Sequence, residues 1–392
     1  MTPNPDVSEW SAMNAQVGRH QLSTVDFRKE PFRIGVLTDL PGYAGLADVW
    51  VDGLRLAFEH CTSTGIIERS VELVISETLG QPWRSGQHIV DAWHHLADQG
   101  VLGIAGPMTT DNSLVVLPEV RRRGIPTITL CGSQQYVGRG AFNLSNGGMA
   151  DEPALMAAWL ANELHHKVAV IYDSPSQIGA EYLGYFLLSA AAERLEVTAQ
   201  IPLAPMPTQD ESDAAVKRAK ESGADAVAYF TLGAIEAASK LPGAFASVDW
   251  YPPRVACTAF VGASYNADLR GYYEGWTGCD QVHEDNTVFA QLLDRWQERF
   301  GYRPFNSAAT CSWDVGHAFG LALGRMRVVS PTGLHDALET IRRLPAASGG
   351  PGTIISFGPE DHRGYKGPDF LILRNVTDGV YGLTGTVPVV AR

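Results

Sequence analysis

Short apolar runs alternate with amphipathic stretches along most of this 392-residue chain. An apolar run bounded by turn residues predicts a buried strand, and apolar residues at helical spacing predict a helix. In the first part of the chain the predicted strands are 33–37, 71–76, 101–105 and 124–130, with helices at 49–60, 89–96 and 114–122. Strands that alternate with helices in this way predict a parallel sheet covered on both faces.

The same alternation begins again after residue 150. Here the predicted strands are 167–172, 197–201, 226–230 and 254–258, and the predicted helices are 154–164, 180–193, 214–221 and 235–240. Residues 288–344 then indicate three helices, at 288–300, 307–326 and 332–344, which we expect to pack back on the first lobe. Apolar runs at 352–357 and 370–373 predict late strands. The pattern therefore predicts an α/β protein with two doubly wound parallel-sheet lobes.

Length and composition agree with two lobes and exclude some classes of function. A chain of 392 residues exceeds what one core usually serves, and 45% hydrophobic with 19% charged residues is ordinary for a soluble globular protein. The net charge of -13 argues against a nucleic-acid partner, since phosphate binding needs clustered Lys and Arg. The five cysteines show no CxxC spacing, which predicts small buried residues and no disulfide framework.

The start of the chain bears on location. Residues 1–31 carry charges throughout and have no apolar run of the kind found in a secretory signal, so we expect a poorly ordered extension. As given, the chain indicates a cytoplasmic protein. If a leader is missing from this chain, the alternative is an extracellular or membrane-surface location.

The sequence lacks the common signatures of catalysis and cofactor binding. It contains no GxGxxG after a strand and no GxxxxGK[ST], HExxH or GxSxG motif. The adjacent pairs His94–His95 and His165–His166 lie on predicted helices, where neighbouring side chains point to different faces and cannot easily share a metal. We therefore expect no enzyme activity, no cofactor and no metal site.

Four stretches together resemble the type I periplasmic-binding-protein family, which includes branched-chain amino-acid and amide-binding proteins. They are RIGVLTDLPGYAGLADVWVDGL (33–54), GIAGPMTTDN with the following helix and strand (103–132), KVAVIYDSPSQIGAE (167–181) and ISFGPEDHR (355–363). The resemblance implies a three-stranded hinge with crossings near residues 146, 278 and 354. Lobe 1 would comprise 32–146 plus 279–353, lobe 2 would comprise 147–278 plus 354–392, and one ligand would bind between them.

The resemblance also implies ligand contacts in lobe 1. Family members hold a ligand carboxylate with a Ser or Thr at the place of Thr110, with Thr109 beside it, and a helix N-terminus suits such an anion. The two hydroxyls could instead serve only as a helix cap. Cys131 and Ser133 match a small-residue stretch that offers polar groups, or else form a turn with a buried thiol. Tyr43 and Trp50 lie in or just after the first loop, where relatives often place an aromatic wall, although either could equally be a core residue.

In lobe 2 the resemblance points to loops that follow three strands. Ile178 stands where many relatives carry a Tyr, and Thr231 begins the loop after the strand AVAYF. Ala259 lies where amino-acid binders place an acidic residue that pairs with the ligand ammonium, yet residues 257–265 contain no Asp or Glu. Because a buried ammonium without a counter-charge is costly, a carboxylate, an amide or an aromatic acid is expected rather than an α-amino acid.

Two functions remain open at this stage. The resemblance favours a substrate-binding component that delivers its ligand to an ABC permease. The alternative is a cytoplasmic ligand sensor of the amide-regulator type, which would act on a regulatory partner protein.

Overall fold

The computed structural model describes residues 30–40, 45–233, 235–265, 267–367 and 369–384, and two large sheets organise them. The first sheet is wholly parallel, in the order β2-β1-β3-β4-β5. Its strands are β1 (Phe32–Thr38), β2 (Val71–Glu77), β3 (Gly103–Ala105), β4 (Thr127–Thr129) and β5 (Ala141–Asn143). Strand β5 was not predicted, because its residues Ala-Phe-Asn lie in no longer apolar run, whereas the equally short β3 and β4 lie within the runs 101–105 and 124–130.

Helices from two distant parts of the chain cover this sheet. They are α1 (Leu46–Ser63), α2 (Gln87–Asp98) and α3 (Thr110–Arg123), followed much later by α11 (Thr287–Phe300), α12 (Ser307–Arg325) and α13 (Pro331–Leu338). Helix α12 lies against α1, and a Cβ atom on Gly316 would come within 2.7 Å of the Ala57 Cβ. Small residues thus allow close approach, and the expected packing of the late helices on the first lobe is confirmed.

The second sheet has the order β15-β14-β10-β9-β8-β6-β7. Its parallel strands are β6 (Lys167–Asp173), β7 (Glu196–Leu203), β8 (Ala226–Phe230), β9 (Arg254–Ala256) and β10 (Trp276–Asp280), and two antiparallel strands follow, β14 (Ile372–Thr377) and β15 (Val380–Leu383). The accompanying helices are α4 (Glu152–Asn162), α5 (Gln177–Ala192), α6 (Gln209–Glu221), α7 (Ile235–Ala238), α8 (Leu241–Ser247), α9 (Gly262–Tyr265) and α10 (Ala267–Tyr272), with a 3-10 turn at Thr258–Val261.

The chain passes between the two sheets three times, as a three-stranded hinge requires. The passages fall between β5 and β6, between β10 and α11, and between residues 366 and 372. The crossing expected near residue 354 is therefore misplaced. Residues 354–366 stay with the first lobe: β12 (Ile354–Ile355) pairs with β11 (Leu344–Pro345) and β13 (Tyr365–Lys366) in a small separate sheet, and Asn143 of β5 bridges to Arg363.

The last predicted helix of the first lobe is shorter than its sequence indicates. We expected it over 332–344, but α13 ends at Leu338, Arg343 has a left-handed φ of 52°, and Leu344 begins β11. The apolar spacing continues past the helix because Ile341 and Leu344 are buried in the same core. Periodicity alone cannot distinguish a helix from a buried turn that contacts the same core.

Buried polar groups connect the three passages. The Gln281 side chain accepts a hydrogen bond from Gly147 N–H at 2.6 Å and donates to Ser145 C=O at 3.2 Å, so it joins the first passage to the second. Arg374 on β14 is fully buried, and its Nη2 lies 2.7 Å from Glu284 Oε2, which joins the third passage to the second. These contacts fix the relative path of all three segments.

In the part of the chain that the structure describes, no helix combines the length and apolarity needed to cross a membrane.

Candidate functional site between the lobes

A cavity of about 120 Å³ lies between the two lobes, at the carboxyl ends of strands from both sheets. From the first lobe and the first passage between the sheets it is lined by Leu40, Leu46, Trp83, Met108, Thr109, Thr110, Leu130, Asn146 and Met149. From the second lobe it is lined by Ile178, Tyr182, Thr231, Leu232, Gly233, Thr258, Ala259, Val261, Gly262 and Tyr265.

The buried carboxylate of Asp39, just after β1, holds the loop that precedes α3. It accepts hydrogen bonds from Met108 N–H at 2.7 Å and from the Thr109 hydroxyl at 2.7 Å. It also accepts one from the Asn112 amide at 2.8 Å. These bonds fix the N-terminus of α3 against the cavity, where the first N–H groups of a helix have no partner within the helix.

The two threonines at this helix start have different roles, and neither side chain caps the helix. Thr109 is the N-cap residue but makes no side-chain capping bond, because its hydroxyl donates to Asp39 instead. The Thr110 hydroxyl accepts a hydrogen bond from Gly132 N–H at 3.0 Å. Since that oxygen acts as acceptor there, its own proton can be donated to a ligand oxygen, in competition only with the weakly accepting Cys131 sulfur.

Gly106 gives the chain the sharp turn between β3 and α3. Its φ is +102°, and a Cβ atom there would lie only 2.1 Å from the Leu37 carbonyl oxygen. Only glycine fits such a close approach with this backbone. The turn brings Met108, Thr109 and Thr110 to the cavity.

The predicted contacts after β4 lie outside the cavity lining. Cys131 is fully buried, and burial raises the pKa of its thiol to about 12, which fits the alternative of a turn with an inert buried thiol. The Ser133 hydroxyl donates to Glu181 Oε2 on α5 at 2.5 Å, so it joins the lobes. Backbone atoms of this turn still serve the site, because Gly132 orients Thr110.

A second contact between the lobes lies beside the first. Asp111 on α3 accepts hydrogen bonds from the Ser176 hydroxyl at 3.0 Å and from Ile178 N–H at 3.3 Å. Burial raises the pKa of the Asp111 carboxyl. These hydrogen bonds of Asp111, together with the one between Ser133 and Glu181, hold the lobes closed over the cavity.

The second-lobe wall is held by another buried carboxylate. Asp173, at the end of β6, accepts hydrogen bonds from the Thr231 hydroxyl at 3.1 Å and from Leu232 N–H at 2.7 Å. Burial raises its pKa to about 7. Thr231 lines the cavity as the sequence predicted, but its hydroxyl proton is already used by Asp173.

Two further predicted positions, Ile178 and Ala259, also line the cavity. Tyr43 lies outside the described residues. Trp50, which could be either core or aromatic wall, is fully buried in the first-lobe core.

The cavity wall carries no formal charge among the described residues. Its polar side-chain groups are hydroxyls, the Trp83 indole N–H and the Asn146 carboxamide, whose Oδ1 is buried and accepts no hydrogen bond from any other described residue. The rest of the lining is apolar or aromatic.

Sequence reasoning missed several lining residues. Tyr182 lies one helical turn after Ile178, so the i, i+4 spacing on α5 was a usable signal. Trp83 comes from an irregular loop after β2 and Asn146 from the first passage between the sheets, and for these two only the tertiary structure gives the position.

Glu152, at the start of α4, is a fully buried carboxyl directly beneath this wall. It accepts hydrogen bonds from Thr258 N–H at 2.5 Å, Gly148 N–H at 2.6 Å and the Tyr182 hydroxyl at 2.7 Å. Desolvation outweighs these bonds and raises its pKa to about 7. Glu152 therefore orients two lining residues but does not itself reach the cavity.

The raised pKa of Glu152 predicts that acid stabilises the fold. Between its ordinary value of 4.5 and about 7 the folded protein binds a proton that the unfolded chain releases, so the free energy of unfolding falls as pH rises through this window. We expect Glu152→Gln to reduce that fall by roughly 1–3 kcal/mol. Urea titrations at pH 5 and pH 8 measure it. Glu163→Gln, at the exposed end of the same helix, is the control; an equal change in both variants would contradict the prediction.

The fold and cavity can now be compared with known proteins. The family model described as "Periplasmic binding protein" matches residues 31–371. A periplasmic binding protein type 1 from Bordetella pertussis Tohama I is 19% identical with a TM-score of 0.76, covering 91% of this chain and 100% of that one. An ABC transporter substrate-binding protein from Desulfitobacterium hafniense in complex with Leu is 16% identical with a TM-score of 0.73 at the same coverages.

A third solved structure is a solute-binding protein of an ABC transporter from R. palustris in complex with benzoate. It is 16% identical with a TM-score of 0.74, covering 92% of this chain and 97% of that one. No curated protein matches the chain. At these identities the solved structures establish the fold, and they confirm two parallel-sheet lobes. Because the family model spans most of its length, this chain belongs to the periplasmic binding protein family of solute-binding proteins.

Proposed function

We propose that this protein binds a small organic carboxylate or amide with an apolar or aromatic body, and that it does not bind α-amino acids. The single observation that carries this proposal is an uncharged cavity faced by the N-terminus of α3 and the Thr110 hydroxyl. N–H groups and a hydroxyl donate to a carboxylate or carbonyl oxygen, while the apolar lining buries the rest of the ligand. The benzoate complex of the R. palustris relative supports an aromatic acid as one member of this class.

A thermal-shift screen tests the proposal directly. Benzoate, benzamide, branched aliphatic acids and leucine are compared at equal concentration, because a ligand that binds only the native state raises its melting temperature. We expect shifts with acids or amides that lack an ammonium group. Shifts confined to α-amino acids would contradict the proposal.

Loss of the Thr110 hydroxyl should weaken ligand binding. Thr110→Val keeps the shape but removes the proton available to a ligand oxygen, so we expect affinity for the best acid or amide to fall by about 1–3 kcal/mol. Calorimetry measures it. Thr208→Val is the matched control, since Thr208 caps α6 in the second lobe, away from the cavity. That variant should lose stability and keep its affinity; unchanged affinity in Thr110→Val would remove this hydroxyl from the site.

The biological role proposed for this binding is delivery to an ABC permease. The relatives from Desulfitobacterium hafniense and R. palustris are both described as ABC transporter components, which supports the importer, and the sensor of the amide-regulator type has no comparable support. Delivery requires the binder outside the cytoplasmic membrane, whereas residues 1–31 led us to expect the cytoplasm. Fractionation of cells that express the genomic gene decides this: protein only in the cytosol would contradict the importer.

A further inference from the structure

Two histidines and one glutamate meet on the first lobe, away from the cavity between the lobes. His335 lies in α13, Glu339 directly follows that helix, and His362 lies in the loop before β13. One nitrogen or oxygen atom from each residue lies within 4.8 Å of the other two. None of the three lines the inter-lobe cavity, so a ligand bound here would be separate from the solute.

Both ring nitrogens of His362 face an oxygen atom that accepts hydrogen bonds. Its Nδ1 is 2.9 Å from the Ala141 carbonyl oxygen, which can only accept, so Nδ1 carries a proton. Its Nε2 is 3.0 Å from Glu339 Oε1, and an ionised carboxylate also only accepts. A neutral imidazole has one N–H, so two lone pairs would face each other across this distance. A cation, or a second proton, removes that repulsion.

His335 adds a second ring beside the same carboxylate. Its Nδ1 lies 3.8 Å from Glu339 Oε1, and its Nε2 is buried without a hydrogen-bond partner among the described residues. His362 meanwhile is oriented by a backbone carbonyl, which is the arrangement that metal-binding histidines usually have. Two imidazoles and one carboxylate are a donor set that Zn²⁺ accepts with a further position left for water.

We propose that His335, Glu339 and His362 bind a divalent metal ion of the zinc type. The imidazole of His362 stacks on the Phe142 ring with centroids 4.0 Å apart, and the His335 ring meets the same Phe142 edge-on at 5.2 Å, so both ligands are held in place by packing. An adjoining cavity of about 550 Å³ gives the ion an open side for water. The bound ion ties the end of α13 to the loop before β13.

Sequence analysis predicted no metal site, because only the fold brings residue 362 to the pair at 335 and 339. The i, i+4 spacing of that pair was the one local signal. The proposal is independent of the solute, since it involves other residues on one lobe.

The experiment is a calorimetric titration of the full chain, without a polyhistidine tag, with ZnSO4 and separately with MgCl2. We expect one Zn²⁺ per chain, no measurable Mg²⁺ binding, and a higher melting temperature with Zn²⁺. Glu339→Gln and His362→Gln should each weaken Zn²⁺ binding by roughly 100-fold. Co²⁺ in place of Zn²⁺ should give visible absorption bands that both variants lose, and circular dichroism checks that they remain folded.

His94→Asn is the matched control. His94 Nε2 lies 3.1 Å from Glu119 Oε2, which makes a similar pair without a second imidazole in the cluster. This variant should bind Zn²⁺ as the native chain does. Absence of Zn²⁺ binding at micromolar concentrations would overturn the proposal. Affinity retained in either Glu339→Gln or His362→Gln would also overturn it.

Discussion

4-Methylpentanoate should bind this protein roughly 100-fold more tightly than leucine, because the two molecules differ only in the ammonium group and a buried ammonium without a counter-charge costs several kcal/mol. No described residue that lines the cavity carries a negative charge. The carboxyls behind the lining are already engaged in hydrogen bonds with backbone N–H groups, hydroxyls and one side-chain amide; they are Asp39, Asp111, Glu152 and Asp173. Competition calorimetry with both ligands measures the ratio.

Placing an acid at the cavity wall should reverse this preference. Ala259 lines the cavity, and the Ala259→Asp carboxylate would supply the missing partner for an ammonium. We expect the variant to gain affinity for leucine and lose affinity for 4-methylpentanoate, whose carboxylate it repels. Ala259→Asn, of equal shape and no charge, separates charge from size. Micromolar leucine binding by the native chain would contradict the prediction, because it would mean that some other group compensates the charge of the ligand's ammonium.

Arg374→Met should lower the free energy of unfolding by about 3–5 kcal/mol, because it leaves the buried Asp280 carboxylate without its partner. The Arg374 guanidinium is fully buried, with Nε 2.9 Å from Asp280 Oδ2. The N–H is not directed at that oxygen, so this contact is ionic rather than a directed hydrogen bond. Nη2 donates to the Val282 carbonyl at 2.6 Å, and burial raises the pKa of the Asp280 carboxyl.

Two further variants identify the cause of that loss. Arg299→Met removes a two-point contact with Glu59 on the exposed surface, where water already solvates both charges, so its effect should be slight. The double variant Arg374→Met with Asp280→Asn should recover part of the stability, since the unpaired buried charge is gone. Guanidinium titrations measure all three. A loss in Arg374→Met no larger than in Arg299→Met would contradict the role of burial.

These two predictions show where sequence reasoning was sufficient and where it was not. The absence of an acid near Ala259 is a local property of residues 257–265, and the sequence alone exposed it. The ion pair of Arg374 with Asp280 joins residues far apart along the chain, and no local pattern marks either as buried. Likewise, the family resemblance and the start of a helix pointed to Thr110, but the sequence could not show that Gly132, rather than the helix, engages its oxygen.

Ser133 illustrates a different limit. Its place after a strand made it a reasonable ligand contact, and the strand end does face the cleft. The structure instead directs its hydroxyl to Glu181 across the cleft, where it joins the lobes. The direction of a loop side chain depends on the groups that the opposite lobe places near it. The sequence of one loop does not show which groups those are.

The sequence by itself determined the alternation of strands and helices, the two lobes and the absence of an acid in the stretch 257–265 around Ala259, because each follows from local periodicity and residue chemistry. The tertiary structure decided which lobe takes residues 354–366, which hydroxyls are free for a ligand, and that His335, Glu339 and His362 meet. Those outcomes depend on contacts between segments far apart in the chain. Such contacts form only when the cores pack, so local pattern does not encode them.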